Sequence, residues 1–252
     1  MTKHSTLELL VRKLETHARL DDSDREAILG LAFTERTMEA GAYLVREGDV
    51  PDRCAVLLTG FAYRQKQTGD GLRQIVSLHI PGEATDFQGL FLDEADHSVQ
   101  MLTRGEVAFV ARAEFQALVR SRLAVSHAIL VHILVESSIF REWVLNVGRR
   151  DARSRLAHLL CEFAIRLQAQ GLAGPEAFEL PVTQELLADA LGLTAVHVNR
   201  TLKALEAEGL IVRKKRSVGF PAWRRLQDAG DFNPRYLHLE PQRSTEAEDH
   251  NG

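Results

Sequence analysis

The sequence predicts an α+β protein in which a glycine-punctuated β-roll, a long helix and a winged helix-turn-helix follow one another. After Phe33 the chain has short apolar runs separated by glycines at roughly ten-residue spacing, a pattern typical of small rolls and barrels. Residues 106–147 contain neither glycine nor proline, which favours a long helix. Two short amphipathic patterns joined by a glycine then lead into an apolar and basic segment.

These patterns divide the 252 residues into four parts. We assign a β-roll to residues 1–115, the long helix and a hinge to residues 116–148, and the winged helix-turn-helix to residues 149–226. The tail, residues 227–252, has a polar end that we expect to be disordered in part.

Charge is distributed unevenly along the chain. The net charge is −4, but residues 149–225 hold 13 Lys or Arg against 8 Asp or Glu, a balance of +5 that leaves −9 for the rest. A cationic module on an acidic remainder attracts phosphate locally without making the whole chain adhesive. The distribution therefore favours a nucleic-acid partner for the C-terminal part.

The helix-turn-helix is predicted from residues 183–207. Thr183 can cap the first helix, and Gly192 is suited to end it in the left-handed conformation. Thr194 can cap the second helix, in which one apolar stripe at helical spacing faces the core. A second stripe that the core does not need consists of Val196, Asn199, Arg200 and Lys203.

The second helix of such a motif enters the major groove of DNA. After Gly209, an apolar run and the cations of residues 213–216 indicate a basic β-hairpin wing. The alternative is an ordinary helical hairpin with a solvated charged face, and the wing argues against it. We predict DNA contacts by ten residues: Gln184, Thr194, Val196, His197, Asn199, Arg200, Lys203, Lys214, Lys215 and Arg216.

The order of motifs in the β-roll carries a family resemblance. Glu47-Gly48-Asp49, Leu57 to Gly60, Gly71 to Ile75, Pro81-Gly82-Glu83 and Gly89-Leu90-Phe91 follow one another as in a cyclic-nucleotide-binding β-roll. With the long helix and the helix-turn-helix behind it, the chain resembles the Crp/Fnr superfamily of bacterial transcription regulators over residues 10–225. The resemblance implies a cytoplasmic homodimer that binds double-stranded DNA at a pseudo-palindrome and contacts RNA polymerase.

The resemblance also implies where an effector would bind. Cyclic-AMP-binding members have a Gly-Glu pair that holds the ribose and an Arg-Ser or Arg-Thr pair that neutralises the phosphate. Asp86-Phe87 and His97-Ser98 stand at those places here, so we expect that cyclic AMP is not bound in the usual way. An atypical nucleotide pocket and a β-roll that mainly recruits a protein partner remain as alternatives.

No cofactor is predicted. The cysteine cluster of oxygen-sensing relatives is missing, and two isolated cysteines, Cys54 and Cys161, cannot supply the ligands of an iron–sulfur or structural zinc site. The most apolar run, residues 128–135, is short and includes a histidine, so no membrane span is predicted. The sequence contains no zinc-protease, phosphate-loop or nucleophile-elbow motif, and we expect the protein not to be an enzyme.

The long helix is predicted over residues 112–147, with an apolar face too broad to be covered on one side only. Part of this face could pack on the β-roll and part on a second copy of the chain. We assign the contact with the second copy to Ile129, Ile133, Phe140 and Trp143. The alternative is a core helix buried within one chain.

Overall fold

The computed structural model describes residues 6–16, 18–174, 176–180, 182–214 and 217–239, and it confirms the predicted α+β class. A β-rich N-terminal unit, a long helix and a helical C-terminal unit with a small sheet follow in that order. The helices are α1 (Glu8–Glu15), α2 (Asp22–Leu29), α3 (Arg112–Ser121), α4 (Leu123–Arg149), α5 (Ala152–Ala169), α6 (Gln184–Leu191), α7 (Ala195–Ala207) and α8 (Trp223–Ala229).

Two antiparallel sheets form the β-roll, with strand orders β1-β7-β3 and β2-β6-β4-β5. Their strands are β1 (Phe33–Met38), β2 (Tyr43–Val45), β3 (Arg53–Leu57), β4 (Ala62–Gln67), β5 (Arg73–His79), β6 (Ser98–Met101) and β7 (Gly105–Ala111). A third sheet in the C-terminal unit has the order β8-β10-β9, from β8 (Ala177–Glu179), β9 (Val212–Lys214) and β10 (Ser217–Gly219).

Turn chemistry explains where the roll folds back on itself. The glycine-rich segment after β4 joins it to β5 in an antiparallel pair, and Gly71 takes a φ of +86° there. At the start of β7, a Cβ on Gly105 would lie 2.2 Å from the carbonyl oxygen of Thr59. Only glycine permits that close approach of the two backbones.

Three of these strands carry no clear signal in the sequence. The middle of β1 is exposed and polar, and β6 is four residues long, so neither shows a regular alternation of apolar and polar residues. Strand β4 reads AYRQKQ, and its buried positions include a glutamine as well as apolar residues. Pairing with neighbouring strands, rather than local pattern, makes these segments extended.

The segment predicted as one long helix is two helices. The backbone at Arg122 is extended, with φ of −129° and ψ of 100°, and separates α3 from α4. The Arg122 guanidinium donates to Ser23 Oγ at 2.7 Å, which ties the break to the N-terminal helices. The sequence pattern does not predict this break, since the segment contains neither glycine nor proline.

Helix α4 has one buried and one exposed apolar side. Among the residues the structure describes, it is the one helix long and apolar enough to cross a membrane by length and composition, and about a third of its most apolar stretch is buried. A core or interface helix passes the same test, so this is weak evidence for a span. The exposed side still needs an explanation.

A buried ion network joins the N-terminal and C-terminal units; we call Lys13, Glu83, Glu162 and Arg166 the central ion network. Glu83, in the turn after β5, accepts from Lys13 Nζ at 2.8 Å and from Arg166 Nη2 at 3.1 Å. Arg166 also pairs with Glu162 at 3.2 Å. All four side chains are at most 9% exposed.

Two aromatic side chains complete the network. The Trp143 indole donates to Glu162 at 3.0 Å, and the Tyr236 hydroxyl donates to the same carboxylate at 2.8 Å. Burial alone would raise the pKa of Glu83, but Lys13 and Arg166 beside it bring that pKa well below its usual value. The network therefore connects α1, the β-roll, α4, α5 and the turn near Tyr236.

We predict that Glu83→Gln lowers the free energy of unfolding by about 3 kcal/mol, because it leaves buried Lys13 and Arg166 with less compensating charge. Chemical denaturation of the purified protein measures this. The matched control is Glu39→Gln, since Glu39 pairs with Arg104 at 3.3 Å while both side chains are over 70% exposed. The control should cost at most about 1 kcal/mol. Equal losses in the two variants would contradict the prediction.

Candidate nucleic-acid interface and effector pocket

Helices α6 and α7 form the predicted helix-turn-helix, and the caps are those expected from the sequence. The Thr183 hydroxyl accepts from Leu186 N at 3.3 Å, and Gly192 ends α6 with φ of +62°. The Thr194 hydroxyl accepts from His197 N at 3.2 Å and so begins α7. These local bonds set where α6 begins and ends and where α7 begins.

The two faces of α7 differ sharply. Val198, Thr201, Leu202 and Leu205 are buried. On the opposite face Val196, Arg200 and Lys203 are exposed and Asn199 is half-buried; we call these four residues the recognition stripe. Val196 is 82% exposed, which is unusual for an apolar side chain and typical of a contact surface. Within the described residues, neither Arg200 nor Lys203 makes a salt bridge.

The other predicted DNA contacts have different positions. Gln184 and His197 are half-buried at the first turns of α6 and α7. Thr194 is exposed, but its hydroxyl already accepts the capping bond. Lys214 is exposed at the end of β9, whereas Lys215 and Arg216 lie outside the described residues.

The small sheet holds the wing, strands β9 and β10, against α7. Strand β10 lies between β8 and β9, and Arg213 in β9 donates to Glu206 of α7 at 2.6 Å. This hydrogen bond lowers the pKa of Glu206. Arg213 is thus a positioning contact, and Lys214 is the wing cation in the described chain that remains without a salt bridge.

A cavity of about 410 Å³ lies between α4 and strands β4 and β5. Its charged lining consists of Lys13, Arg64, Lys66, Arg141 and Arg166 on the cationic side and Glu83, Asp96 and Glu136 on the acidic side. Arg64 Nη2 donates to the Thr85 carbonyl at 2.8 Å and lies 3.8 Å from Glu136. Burial raises the pKa of Glu136.

Of the four predicted effector residues, the structure brings only His97 to this cavity. Phe87 is fully buried against Phe115, with ring centroids 5.5 Å apart. Asp86 caps the short 3₁₀ turn Phe87–Leu90 by accepting from Gly89 N at 3.3 Å. Ser98 accepts from Glu47 N at 3.0 Å.

Burial and the nearby Arg64 lower the pKa of His97, which favours the neutral form of its imidazole. Its Nδ1 lies 2.7 Å from Asp96, and its Nε2 lies 3.8 Å from Asp86. The phosphate-neutralising arginine of the nucleotide-binding pattern therefore has no equivalent at this position. Two of the cations that line the cavity, Arg64 and Lys66, come from β4, a segment that the sequence pattern did not indicate as a strand.

In the described part of the chain, no three His, Cys, Asp or Glu side chains lie close enough together to bind a metal ion. Cys54 and Cys161 are both buried and free. Burial raises the pKa of each thiol, so a smaller fraction of each cysteine is in the reactive thiolate form.

Comparison with known proteins agrees with this geometry. A cyclic nucleotide-binding domain profile matches residues 35–122, and a Crp-like helix-turn-helix domain profile matches residues 154–229. The first covers the β-roll and α3, and the second runs from α5 through the wing to α8.

Curated relatives match most of the chain. The transcriptional activator protein FnrL of Cereibacter sphaeroides is 33% identical over 215 residues, which are 83% of this chain and 86% of that protein. The nitrogen fixation regulation protein FixK of Rhizobium meliloti is 30% identical and covers 69% of this chain and 76% of its own length.

Among solved structures, FixK2 from Bradyrhizobium japonicum superposes with a TM-score of 0.72 at 24% identity, covering 79% of this chain and 98% of that one. This likeness concerns the fold. The sequence relatives, the two profiles and the helix-turn-helix geometry together identify the chain as a DNA-binding transcription regulator of the Crp/Fnr family.

Proposed function

We propose that this chain is a homodimeric regulator that binds a pseudo-palindromic DNA site and does not require cyclic AMP for binding. The observation that carries the proposal is the recognition stripe, an exposed set of apolar, amide and cationic side chains on a helix whose other face is buried. Two such helices in a dimer would read half-sites about one turn of DNA apart.

Arg200 is the base-reading residue in this proposal. Its guanidinium is exposed at the centre of the stripe, and arginine can bond both acceptors of guanine at once. Val196 cannot accept a hydrogen bond, but it can pack on a thymine methyl group. Lys203, Lys214 and the half-buried Gln184 and His197 are suited to phosphate contacts, which position the protein without specifying sequence.

The exposed side of α4 supports homodimerisation. Eight of its exposed positions alternate at four- and three-residue spacing, the repeat of a coiled-coil seam: Leu123, His127, Leu130, Leu134, Ser137, Arg141, Val144 and Gly148. Phe140, from the predicted set, flanks this seam at 47% exposure, and Ile133 is half-buried. A second copy would cover the apolar members.

Two residues of the predicted dimer contact are placed elsewhere. Ile129 is fully buried in the core between α4 and the β-roll, and Trp143 is 6% exposed and bonded to Glu162. Both already pack within their own chain, so neither belongs to the surface we propose for the second copy. The predicted set thus combines two residues that pack inward, Ile129 and Trp143, with Phe140 and Ile133, which lie at or beside the exposed side of the helix.

An exposed apolar surface on the β-roll supports a protein partner. Val50, Phe91 and Leu92 are 67%, 58% and 55% exposed. Arg112 brings their loops together, since its backbone N donates to the Asp52 carbonyl and its guanidinium donates to the Leu92 carbonyl. Two relatives are named as transcriptional activators, so we propose RNA polymerase as the partner and the cytoplasm as the site of action.

We predict that Arg200→Ala relaxes the preference at one base pair of each half-site and costs about 1–3 kcal/mol there. Selection of duplexes from a random pool by purified, ligand-free protein, followed by sequencing, measures the change. The control Lys203→Ala should weaken binding to all sequences about equally and lower the salt dependence. If Arg200→Ala selects the wild-type site unchanged, arginine does not read a base there.

We predict that Leu134→Glu makes the protein monomeric, because it buries two charges at a closely packed seam. Sedimentation analysis measures the mass, and DNA titration should then show loss of palindrome binding. Leu92→Glu is the control, since Leu92 is 55% exposed and Leu134 is 56% exposed but they lie on different surfaces. A dimeric Leu134→Glu variant would exclude this seam.

We predict no saturable rise in melting temperature with cyclic AMP or cyclic GMP, because Phe87 and His97 replace the ribose and phosphate ligands. A ligand present at 100 times its Kd would stabilise the protein by about 2.7 kcal/mol, which thermal unfolding detects easily. A saturable rise that Arg64→Met abolishes would instead favour an atypical nucleotide pocket, for which the cationic cavity lining is the supporting observation.

A further inference from the structure

Helix α6 contacts the edge strand of the larger sheet through polar bonds. Nε and Nη2 of Arg73 in β5 donate to one carboxylate oxygen of Asp189 at 2.7 and 2.5 Å. The side-chain amide of the next residue, Gln74, donates to the Ala190 carbonyl at 3.2 Å. Since β5 is last in the strand order, α6 covers an edge of the sheet.

Residues of the β-roll hold the Arg73 side chain in the orientation in which it contacts α6. Its Nη1 donates to the Tyr63 hydroxyl at 3.2 Å, and its guanidinium lies 5.6 Å from the centre of the Tyr63 ring. Tyr63 is 4% exposed and donates in turn to Gln100 at 2.7 Å. The arginine is therefore held by residues of two neighbouring strands, which limits the directions in which it can point.

Apolar packing supports the same contact. Tyr63 and Ile75 of the β-roll belong to one buried cluster with Leu187 and Leu191 of α6. The core is thus continuous from the sheet into the helix-turn-helix. The polar bonds at its border give this packing a defined orientation, because a carboxylate and a guanidinium must meet there.

The contact leaves the DNA-reading surface open. Asp189 and Ala190 lie in the C-terminal half of α6, whereas the recognition stripe on α7 stays exposed or half-exposed. A contact that blocked DNA would cover the stripe. This one instead fixes the direction in which the helix-turn-helix faces relative to the β-roll and α4.

We infer that Arg73 and Asp189 are positioning residues for DNA binding that set the half-site spacing which a dimer accepts. The inference rests on the proposed function. With each helix-turn-helix held on its own sheet edge, the distance between two recognition helices is set by the protein. Without the ion pair, the modules would sample several orientations and accept several spacings.

The expected effect is moderate. The side chains of Arg73 and Asp189 are 29% and 28% exposed, so water screens the ion pair and its contribution to the free energy of the contact is small. We expect each single change to weaken binding to the best-spaced palindrome by about fivefold. The change in spacing preference should be clearer than the change in affinity.

The test uses the full chain with three variants: Arg73→Asp, Asp189→Arg and the double exchange, which restores the pair with its charges reversed. Each is titrated with a single half-site and with palindromes whose half-sites are one or two base pairs closer or further apart. The control is the double exchange Glu39→Arg with Arg104→Asp, an exposed pair remote from α6. Thermal unfolding checks that all variants fold.

We expect the single variants to bind the half-site like the wild type but to discriminate less between spacings, and the double exchange to recover discrimination. Wild-type spacing profiles in both single variants would overturn the inference. Tighter palindrome binding by the single variants would also overturn it, since the contact would then be inhibitory. Failure of the wild-type protein to prefer any palindrome would reject the proposed dimeric function itself, an outcome distinct from a profile that the variants leave unchanged.

Discussion

A carboxylate can be buried only among partners that replace its water, and this requirement at Glu83 and Glu162 determines which parts of the chain must meet. Lys13 comes from the N-terminal helix, Arg166 from the first helix of the C-terminal unit, and Trp143 from the end of α4. Arg166 donates to both carboxylates, Lys13 pairs with Glu83, and Trp143 donates to Glu162. The arrangement of the two units around α4 therefore follows from electrostatics as much as from apolar packing.

The cavity and the central ion network share residues. Lys13, Glu83 and Arg166 line the cavity and also hold the two units together. A charge introduced beside them would alter the electrostatic environment of α5, the helix against which the helix-turn-helix packs. The β-roll thus has a physical connection to the DNA-binding unit even where the nucleotide-binding residues of the family have been replaced.

Local signals made the C-terminal module predictable, whereas contacts between distant residues did not. Thr183, Gly192 and Thr194 act through bonds to neighbours within three or four residues, so sequence pattern alone identifies them. The cavity residues Arg64 and Arg166 are about a hundred residues apart, and nothing local marks their meeting. On α4, periodicity indicates two apolar stripes but not which one faces inward, and the burial of Trp143 within its own chain depends on its contact with Glu162, which no local pattern marks.

The Tyr236 hydroxyl reaches back 74 residues to Glu162, a separation that matters while the chain is being synthesised. At ordinary rates of elongation, roughly 4–15 s pass between the addition of these two residues. During that interval Glu162 lacks one of its donors, and α5 cannot reach its final environment. The bond between Tyr236 and α5 can therefore form only after residue 236 has been synthesised, later than the ion pairs of the central ion network, whose members all lie at or before Arg166.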